Sequence, residues 1–312
     1  MSIKETITDS LVYPFSNGLR FLFLGILILI SFSPYVVSYV VKLDYWIVIC
    51  LNVVGLLMVG SLVLGYLFKV ISESLDGVNE LPVFNNWIQM FINGLKLFIV
   101  NITYLIPVLL IASFVFPCLS DLSLGALARS DIFFSILLLI ALFYLVWIIL
   151  VILMSVANMA YNGGELFSAF YFDEMFSNVS VNRYKSPSWI FFVDLITIIM
   201  GILMFDVLVD RTINVDVGKI IVWYFATGAI SLIFIVTGYV IVDMASIFIL
   251  SMLDFYSILN YNILRVLMFS LALIPYLSIF ISRSTALIYN STIKSSLINQ
   301  NSIEYYHLQK DL

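Results

Sequence analysis

Charge is what this sequence has least of. Only 11% of its 312 residues are Asp, Glu, Lys or Arg, against about a quarter in a soluble domain. A solvated surface of ordinary extent is therefore excluded. Histidine occurs once, as His307, beside Tyr305 and Tyr306 in a polar stretch. With no second histidine and no cysteine at ligand spacing, no metal site is expected. The two cysteines, Cys50 and Cys118, fall in or beside apolar runs, so no disulfide framework is expected either. Basic residues are too sparse to hold nucleic acid or to clamp lipid as a polybasic patch, and the net charge is −5. No Gly-x-Ser-x-Gly or comparable nucleophile element appears, so nothing argues for catalysis and no cofactor is expected.

What is abundant is apolar: 63% hydrophobic residues and a mean hydropathy of +1.13. A bilayer core takes about 20 consecutive apolar residues per helix. Runs of that kind cover almost the whole chain, so the expected fold class is all-α, a polytopic transmembrane helix bundle in the cell membrane. Seven spans are expected, near 19–41, 45–69, 96–118, 132–159, 189–209, 219–242 and 263–288, with six and eight as the alternatives. They form one transmembrane domain over 1–290, followed by a polar tail at 291–312 that reads as disordered. Glu5 and Asp9 precede the first apolar run and no small-residue cleavage site follows it. That run therefore reads as a retained span, not a signal peptide.

Short polar turns and long connectors alternate. The turns at Lys42-Leu43-Asp44, 119–131 and 210–219 would share one membrane side, and the connectors 70–95 and 160–188 the other. In the first connector, Trp87, Ile88, Phe91, Ile92 and Leu95 make one helical stripe, with Asn85, Gln89, Asn93 and Lys96 opposite. Asn86 with Gln89 fits a capping box, and Pro82 breaks the chain before it. Interfacial amphipathic helices are expected over 84–95 and 165–176, and 243–261 reads as a third, with an additional span or a re-entrant piece as the alternatives. Phe84-Asn85 and Phe172-Asp173 are 88 positions apart, which suggests a unit repeated in parallel orientation. Positive-inside counting favours a cytoplasmic N-terminus and cytoplasmic long connectors. Tyr45, Trp46, Trp189, Trp223 and Tyr224 read as aromatic belts. Asn52, Asn101 and Asn158 read as interhelical glue, and Gly25, Gly55, Gly60 and Gly65 as points of close helix approach.

Several of these stretches resemble an archaeal membrane family known as domain-of-unknown-function family 4013. Leu11-Val12-Tyr13-Pro14-Phe15 is similar to its N-terminal Tyr-Pro-Phe element. Gly65-Tyr66-Leu67-Phe68-Lys69-Val70, followed by Glu80-Leu81-Pro82-Val83-Phe84-Asn85-Asn86-Trp87, is similar to its most distinctive signature. Gly94-Leu95-Lys96 with Tyr104 and Pro107 continues the likeness, and Ala169-Phe170-Tyr171-Phe172-Asp173-Glu174 resembles its second, shorter element. The likeness covers residues 10 to about 200 and implies a six-span pattern, with 210–262 as extra chain, and an archaeal source. It implies no mechanism. The signature positions are Pro82, Phe84, Asn85, Trp87, Phe170, Phe172 and Asp173.

Carboxylates in apolar runs are the candidates for transport chemistry. Asp194 and Asp206 flank the fifth expected span. Asp243 and Asp254 are eleven residues apart, on one helical face. Against this, Asp194, Asp206 and Asp243 stand within a turn or two of span ends, where a carboxylate reaches water. Three functional readings follow. The first is a non-enzymatic membrane scaffold or subunit, with lipid bilayer, membrane-protein partners or a second copy as its contacts. The second is a transporter of a small solute or lipid. The third is an intramembrane lipid-acting enzyme.

Overall fold

Ser2 starts the first helix. Its hydroxyl accepts from the Glu5 backbone N–H at 3.2 Å, and its own N–H donates to the Glu5 carboxylate at 2.7 Å. This reciprocal pair satisfies amides that a helix start leaves orphaned. The computed structural model describes residues 2–34, 37, 41, 44–120, 148–170, 217–252 and 258–291, and side chains within these except at 107–120, 217–219, 252 and 258–260. Seven helices lie in this part: α1 (Ile3–Val12), α2 (Gly18–Ser31), α3 (Tyr45–Leu75), α4 (Trp87–Ser120), α5 (Ile148–Tyr161), α6 (Val217–Met252) and α7 (residues 258–289). No strand occurs among the described residues. Four stretches are long and apolar enough to cross a membrane: Tyr45–Leu75, Trp87–Ile106, Ile220–Ser251 and Tyr261–Tyr289. The fold is an all-helical transmembrane bundle.

Of the first expected span, 19–41, residues 19–31 belong to α2, and 35–36 and 38–40 lie outside the described residues. A tight turn at Tyr13–Ser16 containing Pro14 separates α1 from α2, and the two helices meet at 84°. At 1.5 Å per residue, α2 reaches only about 21 Å, short of a hydrocarbon core of about 30 Å. Helix α1 lies across one end of the bundle, packed on α7. The expected span at 189–209 lies outside the described residues, as do 132–147 and the tail from 292.

Two of the expected interfacial helices are instead parts of longer ones. Residues 87–95 are the first turns of α4, which runs unbroken to Ser120. The capping box expected at Asn86 does not form: Asn86 takes a left-handed φ of 52°, and Gln89 donates forward to Asn93 at 3.1 Å. Asparagine tolerates that conformation better than most residues. Residues 243–252 likewise continue α6, because Asp243 finds a cation across the helix pair and does not end the helix. In the second connector, Leu166–Phe170 is a single tight turn, and the rest of 165–176 lies outside the described residues.

Backbone contact sets the helix spacing. A Cβ on Gly65 would stand 1.8 Å from the Met90 carbonyl, and one on Gly94 would stand 1.7 Å from that of Ser61. Helices α3 and α4 thus cross with glycine on both sides, as small residues permit in membranes. On α7, a wide turn at Phe269–Leu273 precedes Pro275. Proline lacks the N–H and crowds the carbonyl four residues back, and the widened turn absorbs that crowding. Gly25 of α2 seats against the same turn, where an added Cβ would stand 2.9 Å from the Leu271 backbone.

The buried core lies at the end of the bundle that carries both connectors. One cluster joins Leu75, Leu97, Tyr104, Met154, Ala160, Ile220, Trp223 and Tyr289. A second joins Tyr13, Leu24, Tyr66, Leu81, Met90 and Ile279. Trp223, expected in an aromatic belt, is fully buried here. At the other end no residue of Tyr45–Gly55 is buried, and exposed Tyr45 and Trp46 form the kind of aromatic edge that meets a membrane interface. Asn52 and Asn101 bond back to their own helices, at Val48 O (2.8 Å) and Leu97 O (2.9 Å). Asn158 alone of the three joins different helices.

Candidate functional site: a laced connector end

Residues 78–83, leaving α3 at Gly77 (φ 84°), belong to neither helix nor sheet. Their backbone carbonyls must find donors elsewhere. Five of the six find them in sequence order, and Asn79 offers its side-chain carbonyl. Arg283 Nη1 donates to Val78 O at 2.7 Å, and Nη2 to the Asn79 side-chain carbonyl at 2.8 Å. Tyr13 Oη donates to Glu80 O at 2.8 Å, Arg20 to Leu81 O, Tyr66 Oη to Pro82 O at 3.1 Å, and Lys69 Nζ to Val83 O at 2.7 Å. The Leu81 N–H completes the set on Ser16 Oγ at 3.1 Å. Pro82 has no N–H to satisfy, which suits it to the middle of such a strip.

Arg283 is the hub. It is 2% exposed, its Nε is 2.9 Å from Asp9 Oδ2, and its guanidinium sits 4.5 Å over the Tyr13 ring. One side chain of α7 thereby binds α1, the Tyr-Pro-Phe turn and the first connector together. A buried guanidinium tolerates this position because all its contacts are charge-assisted or aromatic. Tyr276 Oη, donating to Leu11 O at 3.1 Å, and Asn290, donating to Leu75 O at 3.0 Å, tie α7 to the same end. At the outer edge of α1, the Ser2 backbone N–H bonded to Glu5 holds that carboxyl below the usual range.

The second connector is held by the same device. Lys96 Nζ donates to Gly164 O at 2.7 Å, Asn158 Nδ2 to Ser168 O at 2.7 Å, and Tyr104 Oη to Ala169 O at 2.8 Å. Ser155 donates to Tyr104 Oη at 2.8 Å, and Tyr289 Oη to Asn158 Oδ1 at 2.7 Å. Gly163 and Gly164 turn the chain with φ of 66° and 83°, values other residues adopt only under strain.

The structure brings the first signature residues together. Phe84 stacks on Tyr66 with ring centroids 3.9 Å apart and planes at 2°, and meets Phe23 edge-on at 4.6 Å. Trp87 lies 6.0 Å from Phe84 and 5.9 Å from Phe23. Asn85 Oδ1 accepts from Lys69, and Pro82 gives its carbonyl to Tyr66. Phe170 packs 5.6 Å from Tyr104; Phe172 and Asp173 lie outside the described residues. Among the carboxylates, Asp243 stands far from this end. It pairs with Arg265 at 3.5 Å and accepts from Tyr261 Oη. Asp194, Asp206 and Asp254 lie outside the described residues.

Sequence reasoning missed Arg283, Tyr13, Tyr104 and Tyr289 as the donors. A signal for them existed: a six-residue strip without helical or strand periodicity has carbonyls to satisfy, and Tyr, Lys and Arg just inside span ends are the donors within reach. Chemically, the arrangement fixes loops to helix ends. Among the described residues no group of His, Cys, Asp or Glu could hold a metal.

Residues 46–209 match the family model described as protein of unknown function (DUF4013). The match takes in α3, both laced connectors, α4 and α5, and leaves Tyr13, Arg20, Arg283 and Tyr289 outside it. No curated protein and no solved structure matches the chain.

Proposed function

This chain belongs to the family described as protein of unknown function (DUF4013), and from that premise we propose that it is a non-enzymatic scaffold or subunit of the cell membrane. It crosses the membrane several times, with its N-terminus and long connectors cytoplasmic. The observation that carries this reading is the commitment of Arg20, Lys69, Lys96 and Arg283 to connector carbonyls. Cations that bind their own backbone make a rigid platform at one membrane surface, and among the described residues these four are committed to it. A rigid apolar bundle with a fixed polar face suits assembly with another membrane protein or with a second copy.

Purification in mild detergent tests this. A stoichiometric partner or a defined homo-oligomer is expected, and a lone monomer recovered under conditions that keep other membrane complexes intact would count decisively against it. The transporter reading rests on Asp243 and Asp254, on the broken C-terminal third and on the suggested repeat, and of these carboxylates Asp254 lies outside the described residues. Asp243 faces Arg265 at 3.5 Å and accepts from Tyr261 Oη, which favours the scaffold, because a carboxylate so engaged is poorly placed to exchange a proton or cation.

A further inference from the structure

At the end of the bundle opposite the connectors, one cation stands in an arrangement that internal packing does not explain. Arg265 of α7 reaches toward α6. Its guanidinium lies 4.8 Å over the Tyr239 ring and 5.3 Å over the Tyr261 ring. Its Nε faces Asp243 at 3.5 Å, long for a charge-assisted hydrogen bond, which runs about 2.7–2.9 Å. Tyr261 donates to the same carboxylate oxygen, so Asp243 already has a closer partner. Among the described residues nothing else meets the guanidinium, and its side chain is 25% exposed. Contrast Arg283 on the same helix, whose Nη atoms both donate to protein acceptors.

The depth of the site says what surrounds it. The bond from Asn290 to Leu75, with Ile279 and Tyr66 in one cluster further back, sets α7 beside α3 and running the same way. Counting back equally along both helices puts Tyr45 and Trp46 level with the start of α7, and Arg265 roughly one turn deeper. Arg265 and Arg283 are then separated by about 27 Å along α7 at 1.5 Å per residue, close to the thickness of a hydrocarbon core. Exposed Tyr239 and Met244 flank the site on α6, so its open side meets lipid. An N–H fork with no acceptor among the described residues is costly at this depth, and an arginine one turn inside the interface reaches outward to headgroup level. Phosphodiester oxygens there match the planar fork two to two.

We propose that Arg265, seated between Tyr239 and Tyr261, binds the phosphodiester of a single phospholipid. Asp243 acts as a positioning residue: it holds the Nε edge and leaves the Nη edge for the lipid. The test uses the full chain in dodecyl maltoside micelles doped with palmitoyl-oleoyl phosphatidylglycerol or with phosphate-free dioleoylglycerol, read by native mass spectrometry. One phosphatidylglycerol is expected to stay bound, and dioleoylglycerol is not. R265Q should lower retention by about tenfold or more, as expected on losing a charge-assisted fork. R265K should fall between, and D243N should lower retention by less than R265Q does. Equal retention of the two lipids by the unaltered protein overturns the proposal without needing any variant to fold. Unchanged retention by a folded R265Q overturns it too, and displacement of the lipid by millimolar inorganic phosphate would assign the fork to free phosphate instead.

Discussion

Arg283 shows how much one side chain can carry in a chain with so few charges. Its guanidinium is buried, and it joins an acid on α1 to two acceptors on the connector. Losing the guanidinium leaves Val78 O and the Asn79 side-chain carbonyl without their donors, at a cost of about 1–3 kcal/mol each. R283Q should therefore lower unfolding stability in detergent by that order, measured by thermal or denaturant unfolding. R283K should rescue little, since an ammonium cannot reproduce three directed contacts from one plane. D9N should destabilise as well, because it leaves the buried guanidinium without its counter-charge. Glu5 makes a milder, pH-dependent contribution. Its carboxyl is lowered by the Ser2 N–H, so the stability it lends is present above the ordinary glutamate range. That stability is lost as pH falls below about 4.3 through the folded value. Amide exchange over the first turn of α1 should speed up in that window while exchange in α3 stays slow; no such difference would remove the capping role.

At the scale of elements, the glycines of α3 and α4 are the sharpest test of the packing. A methyl group on Gly65 or Gly94 has no room against a carbonyl under 2 Å away, and the obstacle is backbone that cannot rotate aside. G65A and G94A should each force the helices apart and lose at least about 3 kcal/mol, the upper end of ordinary overpacking. G228A on α6 is the control, because nothing lies within 4 Å of its added methyl. It should leave stability unchanged or raise it by up to about 1 kcal/mol through helix propensity. Folded yield and melting temperature separate the two outcomes. The helices themselves were legible from their apolar runs, and Gly65 was read as a packing position. Gly94 was not, since its partner Ser61 lies on another helix and no spacing along one chain reveals a crossing. The lacing was hidden for the same reason: Arg283 and Asp9 are 274 residues apart, and Tyr13 and Glu80 are 67 apart. The separate helix expected over 84–95 arose from a sound local reading, a Pro break followed by a stripe. Periodicity could not say that the stripe continues into the span.

For the whole molecule, burial is unevenly distributed, and that asymmetry fixes how the bundle meets its membrane. The connector end holds the clusters around Tyr66 and Tyr104, whereas Tyr45–Gly55 buries nothing. In water such a bare apolar half-helix would be an aggregation surface; in a bilayer it is an ordinary lipid-facing span. Cys50, exposed on that stretch, reports which environment it meets. It lies about one turn inside Tyr45 and Trp46, the edge that an interface would hold. With C118S removing the other thiol, a lipophilic maleimide should label Cys50 in intact membranes, and a charged, membrane-impermeant maleimide should not, from either side, until detergent is added. Rapid labelling by the charged reagent in sealed vesicles would place Tyr45–Gly55 in water or along an aqueous path. The aromatic edge would then not mark the bilayer boundary, and the depth assigned to Arg265 would fall with it.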